Sequence, residues 1–143
     1  METTESHNLC GSLHFHIDRA QQLPNTDIDS FPFTAGNLTD PFVVVEIEHV
    51  FGTEELFRTE TLDDTLEPIW SDHRTVDISF CTKRIVFQVR DKESIGSEAV
   101  ASVSIAASEL VNGEEIDDWF DLEDEENTKC GQLKIEVQYV PNE

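Results

Sequence analysis

Thr39-Asp40-Pro41-Phe42-Val43 is where chemistry and structure meet in this sequence. Proline can open a strand, because its missing N–H and fixed φ are tolerated at the first position and not inside a ladder. Val43, Val44, Val45 and Ile47 then favour a pleated, packed surface. Asp40 is therefore the last loop residue before a rigid strand, a good place for a ligand carboxylate. Asp27 stands at the far end of the same loop, and Asp91, Glu93 and Glu98 sit in another. Both loops can project from one end of a sandwich. Carboxylates gathered that way suit a hard divalent cation such as calcium, which takes about six to eight oxygens. Spacing alone does not establish such a site in a chain with 31 acidic residues.

The elements that must position these residues read as strands. Leu13, Phe15 and Ile17 alternate with His14, His16 and Asp18, a period of two that puts both histidines on the solvent face. Leu23-Pro24 ends that strand, and Asn25 to Ser30 is turn chemistry. Phe31-Pro32-Phe33 then extends a long loop to Asp40. Long loops are disproportionately functional. The two phenylalanines either tuck onto the core or stay exposed for a partner or a membrane.

After the Asp40 strand, His49–Glu55 reads as a turn and Phe57 to Leu62 as a polar strand. Asp63 to Ile69 leads to Trp70, which looks buried. Val76, Ile78 and Phe80 alternate, Cys81-Thr82-Lys83 connects, and Ile85, Phe87 and Val89 alternate again. Val100 to Ile105 is a strand, Ala106 to Leu110 a single helical turn stopped by Asn112-Gly113. Trp119 to Leu122 and Leu133 to Tyr139 supply the last two strands. Eight short strands with regular turns predict an all-β, eight-stranded antiparallel sandwich. Its expected core includes Leu13, Phe15, Ile17, Val43, Val45, Trp70, Ile85, Phe87, Val103, Trp119, Leu133, Ile135 and Val137.

Composition narrows the function. The chain has 143 residues, 38% hydrophobic, enough for one domain with a real core. We expect a loose arm over 1–10, the domain over 11–140 and a short tail over 141–143. With 31 acidic against 9 basic residues and a formal charge of -22, the chain lacks the basic footprint a nucleic acid needs. Cys10, Cys81 and Cys130 fit no zinc spacing. Residues 2–8 are polar and show no leader, so a reduced, cytoplasmic, monomeric protein is expected. No Gly-x-Ser-x-Gly, His-Glu-x-x-His or phosphate-cradling glycine loop occurs, which points to a non-catalytic module.

Several motifs, in order, resemble the C2 domain family. They are Gly11-Ser12-Leu13-His14-Phe15-His16-Ile17 with Ala20 and Leu23-Pro24, then Thr39-Asp40-Pro41-Phe42-Val43, then Thr65-Leu66-Glu67-Pro68-Ile69-Trp70. Val89-Arg90-Asp91-Lys92-Glu93, Asp118-Trp119-Phe120-Asp121-Leu122 and Gly131-Gln132-Leu133-Lys134-Ile135 continue the pattern. The chain opens on the strand before Leu23-Pro24 and closes on an extra strand after Trp119. That resembles the permuted, type II form of the fold, as in novel protein kinase C and plant phospholipase D. The resemblance implies loops at one end that bind calcium and anionic phospholipid, and a protein that joins a membrane peripherally when calcium rises. It carries metal-ligand roles onto Asp27, Asp40, Asp91 and Glu93, with Glu98 as a fifth position. Asp29 is an alternative to Asp27, because the loop is long. Phe31, Phe33 and Ile95 are the expected membrane-inserting residues.

Two readings stand at this point. One is a calcium-dependent phospholipid-binding module of a signalling protein. The other is a calcium-independent module of the same fold that binds a protein partner. The lysine-rich strand that many relatives use for phosphoinositides is replaced here by Glu54, Glu55, Glu60, Asp63 and Asp64.

Overall fold

The computed structural model describes residues 9–25 and 38–141, with backbone alone at 9–10 and 79–81. Seven strands follow in order: β1 (Leu9–Gln21), β2 (Pro41–His49), β3 (Gly52–Arg58), β4 (Ile69–Lys92), β5 (Ser97–Ala106), β6 (Ile116–Glu123) and β7 (Lys129–Pro141). A 3-10 turn, Ala107–Glu109, follows β5. All pairings are antiparallel.

β4 belongs to both layers. Its first arm pairs with β1, from Ile69 opposite Arg19 to Ile78 opposite Gly11. Its second arm lies between β2 and β5. Counting the arms separately gives the eight strands expected from the sequence. One layer is then β6-β7-β1-β4 and the other β5-β4-β2-β3. The layers touch again where β5 meets β6, through the single pair Ser102–Glu123. β1 runs straight into the long loop and β7 closes beside it, from Gly11 opposite Pro141 to Gln21 opposite Gln132. This is the type II order.

Period-two alternation builds the core. Leu13, Phe15 and Ile17 from one layer face Val43, Val45, Ile85 and Phe87 from the other, and all are buried. Phe15 meets Phe57 edge-on at 5.3 Å between centroids and Phe87 at 6.0 Å, across the layers. Each such side chain contributes about 1.5–3 kcal/mol when fully buried. β2 departs from simple alternation: Phe42, Val43, Val44 and Val45 are all buried. Its outer face is covered in part by the Arg58 guanidinium, 5.4 Å from the Phe42 ring centre.

Four expectations need correction. The turn after β2 is shorter than expected, since β3 already starts at Gly52, and the polar strand ends at Arg58 rather than Leu62. The residues released, 59–68, become a loop. β4 runs unbroken through Cys81-Thr82-Lys83, where the pairing registers shift on both flanks instead of the chain leaving the sheet. Trp70, Val103 and Trp119 are only half-buried. Phe120 opposite the buried Leu133 defines the inner face of β6, so Trp119, opposite Lys134, lies on the outer one. Val103 borders the seam, where a cleft of about 430 Å³ separates β5 from β6. His16 is half-buried rather than solvent-facing, because His73 of β4 stacks on it at 3.8 Å between ring centres.

Gly131 supports the base of the long loop. Its φ is +86°, and a Cβ there would meet the carbonyl oxygens of Gln22 and Gln21 at 3.0 and 3.1 Å. Gly96 also has positive φ, +75°, but open space around it. Gly131→Ala should cost about 2–3 kcal/mol and Gly96→Ala about 1 kcal/mol, read by urea denaturation. Equal losses at the two sites would show that the close approach at Gly131 does not matter.

Candidate metal centre

Three segments meet at one end of the sandwich: the described ends of the long loop, 22–25 and 38–40, with the loops 59–68 and 93–96. The register Pro41 opposite Asp91 places the entry to β2 beside the exit of β4. Backbone hydrogen bonds then lock the Thr39–Pro41 segment on both sides. Lys92 N–H donates to Asp40 O at 3.0 Å, Thr65 N–H to Thr39 O at 2.9 Å and Leu62 N–H to Pro41 O at 3.1 Å. The buried Thr39 hydroxyl donates to Pro24 O at 3.0 Å and ties the two ends of the long loop together.

The carboxylates are built onto this frame. Asp91 has no exposed surface. Its Oδ1 accepts the Asp40 N–H at 2.9 Å. The Asp40 Oδ1 in turn accepts the Asp64 N–H at 2.7 Å, and Asp64 Oδ1 accepts the Leu38 N–H at 3.2 Å. A peptide N–H holds one oxygen of each aspartate, so the three loops are joined through acidic side chains.

Asp91, Glu93 and Glu98 each bring a carboxylate oxygen within 4.8 Å of the others. The reason is local. Asp91 and Glu98 are directly opposed on β4 and β5. Glu93 is two residues beyond Asp91, in a turn closed by Glu93 N–H donating to Gly96 O at 3.0 Å. Like charges directly opposed in a sheet repel. An all-oxygen, anionic donor set with one buried member fits a hard cation such as calcium better than a soft one.

Cationic groups flank the cluster. Arg90 is fixed by Ser97 Oγ at 2.6 Å and Gln88 Oε1 at 2.8 Å, which stiffens the start of β5. Phe42, Arg58, Thr61, Lys92, Gly96 and Ser97 line a cleft of about 330 Å³ beside it. Arg58 is already engaged there: both Glu55 oxygens accept from it at 2.9 Å. That hydrogen-bonded pairing holds the Glu55 carboxyl below its ordinary range. Ile95, at the tip of the 93–96 turn, is 93% exposed.

A family model described as "C2 domain" matches residues 11–122. This chain belongs to the C2 domain family. Phospholipase D gamma 3 of Arabidopsis thaliana is 27% identical over 158 residues, covering 94% of this chain and 18% of that protein. Phospholipase D alpha 1 of Zea mays is 24% identical over 147 residues, with 91% and 18% covered. The chain therefore spans only a small part of these relatives. Among solved structures, a C2 domain of plant Extended Synaptotagmin 1 superposes with a TM-score of 0.72 at 23% identity, covering 94% of this chain and 98% of that one. A calcium-bound pair of C2 domains from Extended-Synaptotagmin 2 gives 0.71 at 19% identity, covering 92% and 46%. At these identities the structures establish the fold alone.

In this C2 domain the sequence-predicted ligands divide three ways. Asp91, Glu93 and Glu98 come together. Asp40 adjoins them through its peptide N–H, but its carboxylate turns toward Asp64 and is not one of the three. Asp27 and Asp29, with Phe31 and Phe33, lie outside the described residues. Thr39 and Asp64 were not singled out from the sequence. The signal for Asp64 was its place in an Asp-Asp-Thr turn; it adopts φ +52°, a left-handed conformation that aspartate tolerates better than most residues.

Asp40→Ala should remove the acceptor for Asp64 N–H and cost about 1.5–3 kcal/mol, the range for hydrogen bonds to charged groups. Asp40→Asn keeps an acceptor oxygen and should cost well under half as much. Thermal unfolding of both variants checks this; equal losses would mean that the negative charge, not the hydrogen bond, holds the 59–68 loop.

Proposed function

We propose that this domain is a calcium-dependent phospholipid-binding module that brings a larger signalling protein to an anionic membrane. The observation that carries the reading is the grouping of Asp91, Glu93 and Glu98 at the loop end, with Asp91 buried. Asp91, Glu93 and Glu98 would hold calcium, with Asp40 and with Asp27 or Asp29 as further oxygen donors. Bound calcium would supply a positive centre that lipid phosphate oxygens can join. The chain's own contribution is a rigid frame behind the donors and an exposed apolar tip, Ile95, ahead of them.

The charge sets the direction of the response. At a formal -22 the domain is repelled by the anionic cytoplasmic leaflet. Two calcium ions would offset about four negative charges at the loops only. Binding then rests on the local metal bridge plus apolar insertion of Ile95, and of Phe31 and Phe33 on the long loop. The phospholipase D relatives and the calcium-bound structural neighbour agree with this role. One observation favours the rival reading, a calcium-independent partner-binding module: the Asp40 carboxylate is turned to a peptide N–H.

Calcium should raise the melting temperature, by the equivalent of about 2.7 kcal/mol when it exceeds its dissociation constant a hundredfold. Asp91→Asn should abolish that rise. No rise in the parent protein at millimolar calcium would favour the partner-binding module.

Vesicles of phosphatidylserine and phosphatidylcholine should sediment the domain with calcium and not with chelator. Ile95→Ser should weaken this by about tenfold or more, from the loss of about 1.5–3 kcal/mol of apolar transfer, and leave the melting temperature unchanged. Phe31→Ala with Phe33→Ala should act the same way. Vesicle binding that is strong without calcium would refute the mechanism.

A further inference from the structure

The outer face of the β1–β4 pairing carries a polar ladder: Ser12 with Asp77, His14 with Thr75 and His16 with His73. The last rung differs from the others. His16 and His73 are directly opposed across the strands, and their rings stack at 3.8 Å with 12° between planes. On its other side, His16 Nδ1 lies 3.0 Å from Glu136 Oε2 of β7. An ionised carboxylate only accepts, so Nδ1 is the donor and the ring proton sits there. In the neutral ring the lone pair is then on Nε2. That nitrogen is buried and has no hydrogen-bond partner.

We propose that His16 and His73 form a binding site for an imidazole-seeking divalent cation, zinc being the probe of choice, with Glu136 as the positioning residue. A histidine that ligates a metal commonly donates its other ring N–H to a carboxylate, which fixes the tautomer and makes the ligating nitrogen a better donor. Glu136 and His16 already stand in that relation. The stacked rings lie nearly parallel, so the exposed His73 ring must swing out of the stack before its nitrogen and the His16 Nε2 can share one ion, each at the roughly 2.0–2.1 Å from the metal that zinc requires. Water completes the coordination on the solvent side. His14 stands opposite Thr75 rather than a second imidazole, with its Nδ1 2.9 Å from the Thr75 hydroxyl. The nearby Asp18 is paired with Arg19 at 3.3 Å, and Lys134 with Asp117.

This site differs in chemistry and place from the loop carboxylates. Two nitrogens on a strand face suit zinc, copper or nickel, whereas the oxygens at the loop end suit calcium. Cys130 stands apart from the pair, six residues before Glu136 on β7. Metal held between β1 and β4 would cross-link two strands of one layer, so it should stabilise the fold.

The test is a zinc titration of the whole chain in millimolar calcium, which occupies the loop oxygens, followed by calorimetry and by the histidine Hε1 signals in NMR. The expected result is one zinc per chain, joint movement of the His16 and His73 signals, and a raised melting temperature. His73→Ala should weaken zinc binding about tenfold or more, and Glu136→Gln about tenfold, the usual effect of losing a ligand's carboxylate partner. His73 is exposed, so its replacement should leave the zinc-free melting temperature unchanged. Absence of binding at roughly 0.1 mM zinc would overturn the proposal. So would zinc affinity that survives His73→Ala, or Hε1 signals that move only at His7 or at His49.

Discussion

The hydrogen bond from Asp40 N–H to the buried Asp91 carboxylate is the contact on which the loop end depends. It spans the joint between the entry of β2 and the exit of β4, and both strands are central to their layer. A buried carboxylate is costly unless hydrogen bonds or opposite charge offset its lost hydration. Asp40 N–H supplies part of that offset, and can do so only if Pro41 stands opposite Asp91. A one-residue slip in this register would turn Val43, Val45, Phe87 and Val89 to the wrong face, so the core enforces it. The position of this buried carboxylate is thus fixed by apolar packing some residues away.

The same frame explains why the cluster tolerates its own repulsion. Asp91 and Glu98 are opposed across strands, Glu93 hangs from a four-residue turn, and each position is dictated by backbone pairing. Their backbone positions cannot shift far without breaking these pairings. Held carboxylates keep their mutual repulsion until a cation neutralises it. Arg90, locked to Ser97 and Gln88, stiffens the β4–β5 pairing. Arg58 has its charge met by Glu55.

Much of the fold was legible in the sequence, because in most strands one face is apolar and the period of two is undisturbed. Leu13-Phe15-Ile17 and Leu133-Ile135-Val137 show this directly. The reading failed where period alone does not set the face. Trp119 looks like core by type, but its neighbour Phe120 takes the inward position, and hydrophobicity does not say which of two adjacent aromatics turns in. The long β4 was read as two strands with a connector, since a strand that bends between layers has no breaker residue to announce it. At the loop end, Asp91, Glu93 and Glu98 were legible through spacing and family pattern. The role of Asp64 was not, because its contacts, a peptide N–H to Asp40 and a carboxylate to the Leu38 N–H, depend on how two separate loops come together.

The His16–His73–Glu136 group marks a further limit on sequence reading. Its members come from three strands, and only His16 belongs to a local pattern. What brings them together is β1 lying between β7 and the first arm of β4, which places a residue from each neighbour on either side of every outward position of β1. At most such positions the neighbours are ordinary polar pairs, as with His14 and Thr75 or Ser12 and Asp77. At His16 they are a carboxylate on one side and a second imidazole on the other. A strand flanked on both sides can assemble a donor set from one residue of each chain segment, whereas the loop site needs neighbours along a single turn as well. The two groups of side chains thus follow from two properties of one sandwich: loops that converge at an end, and strands that align across a face.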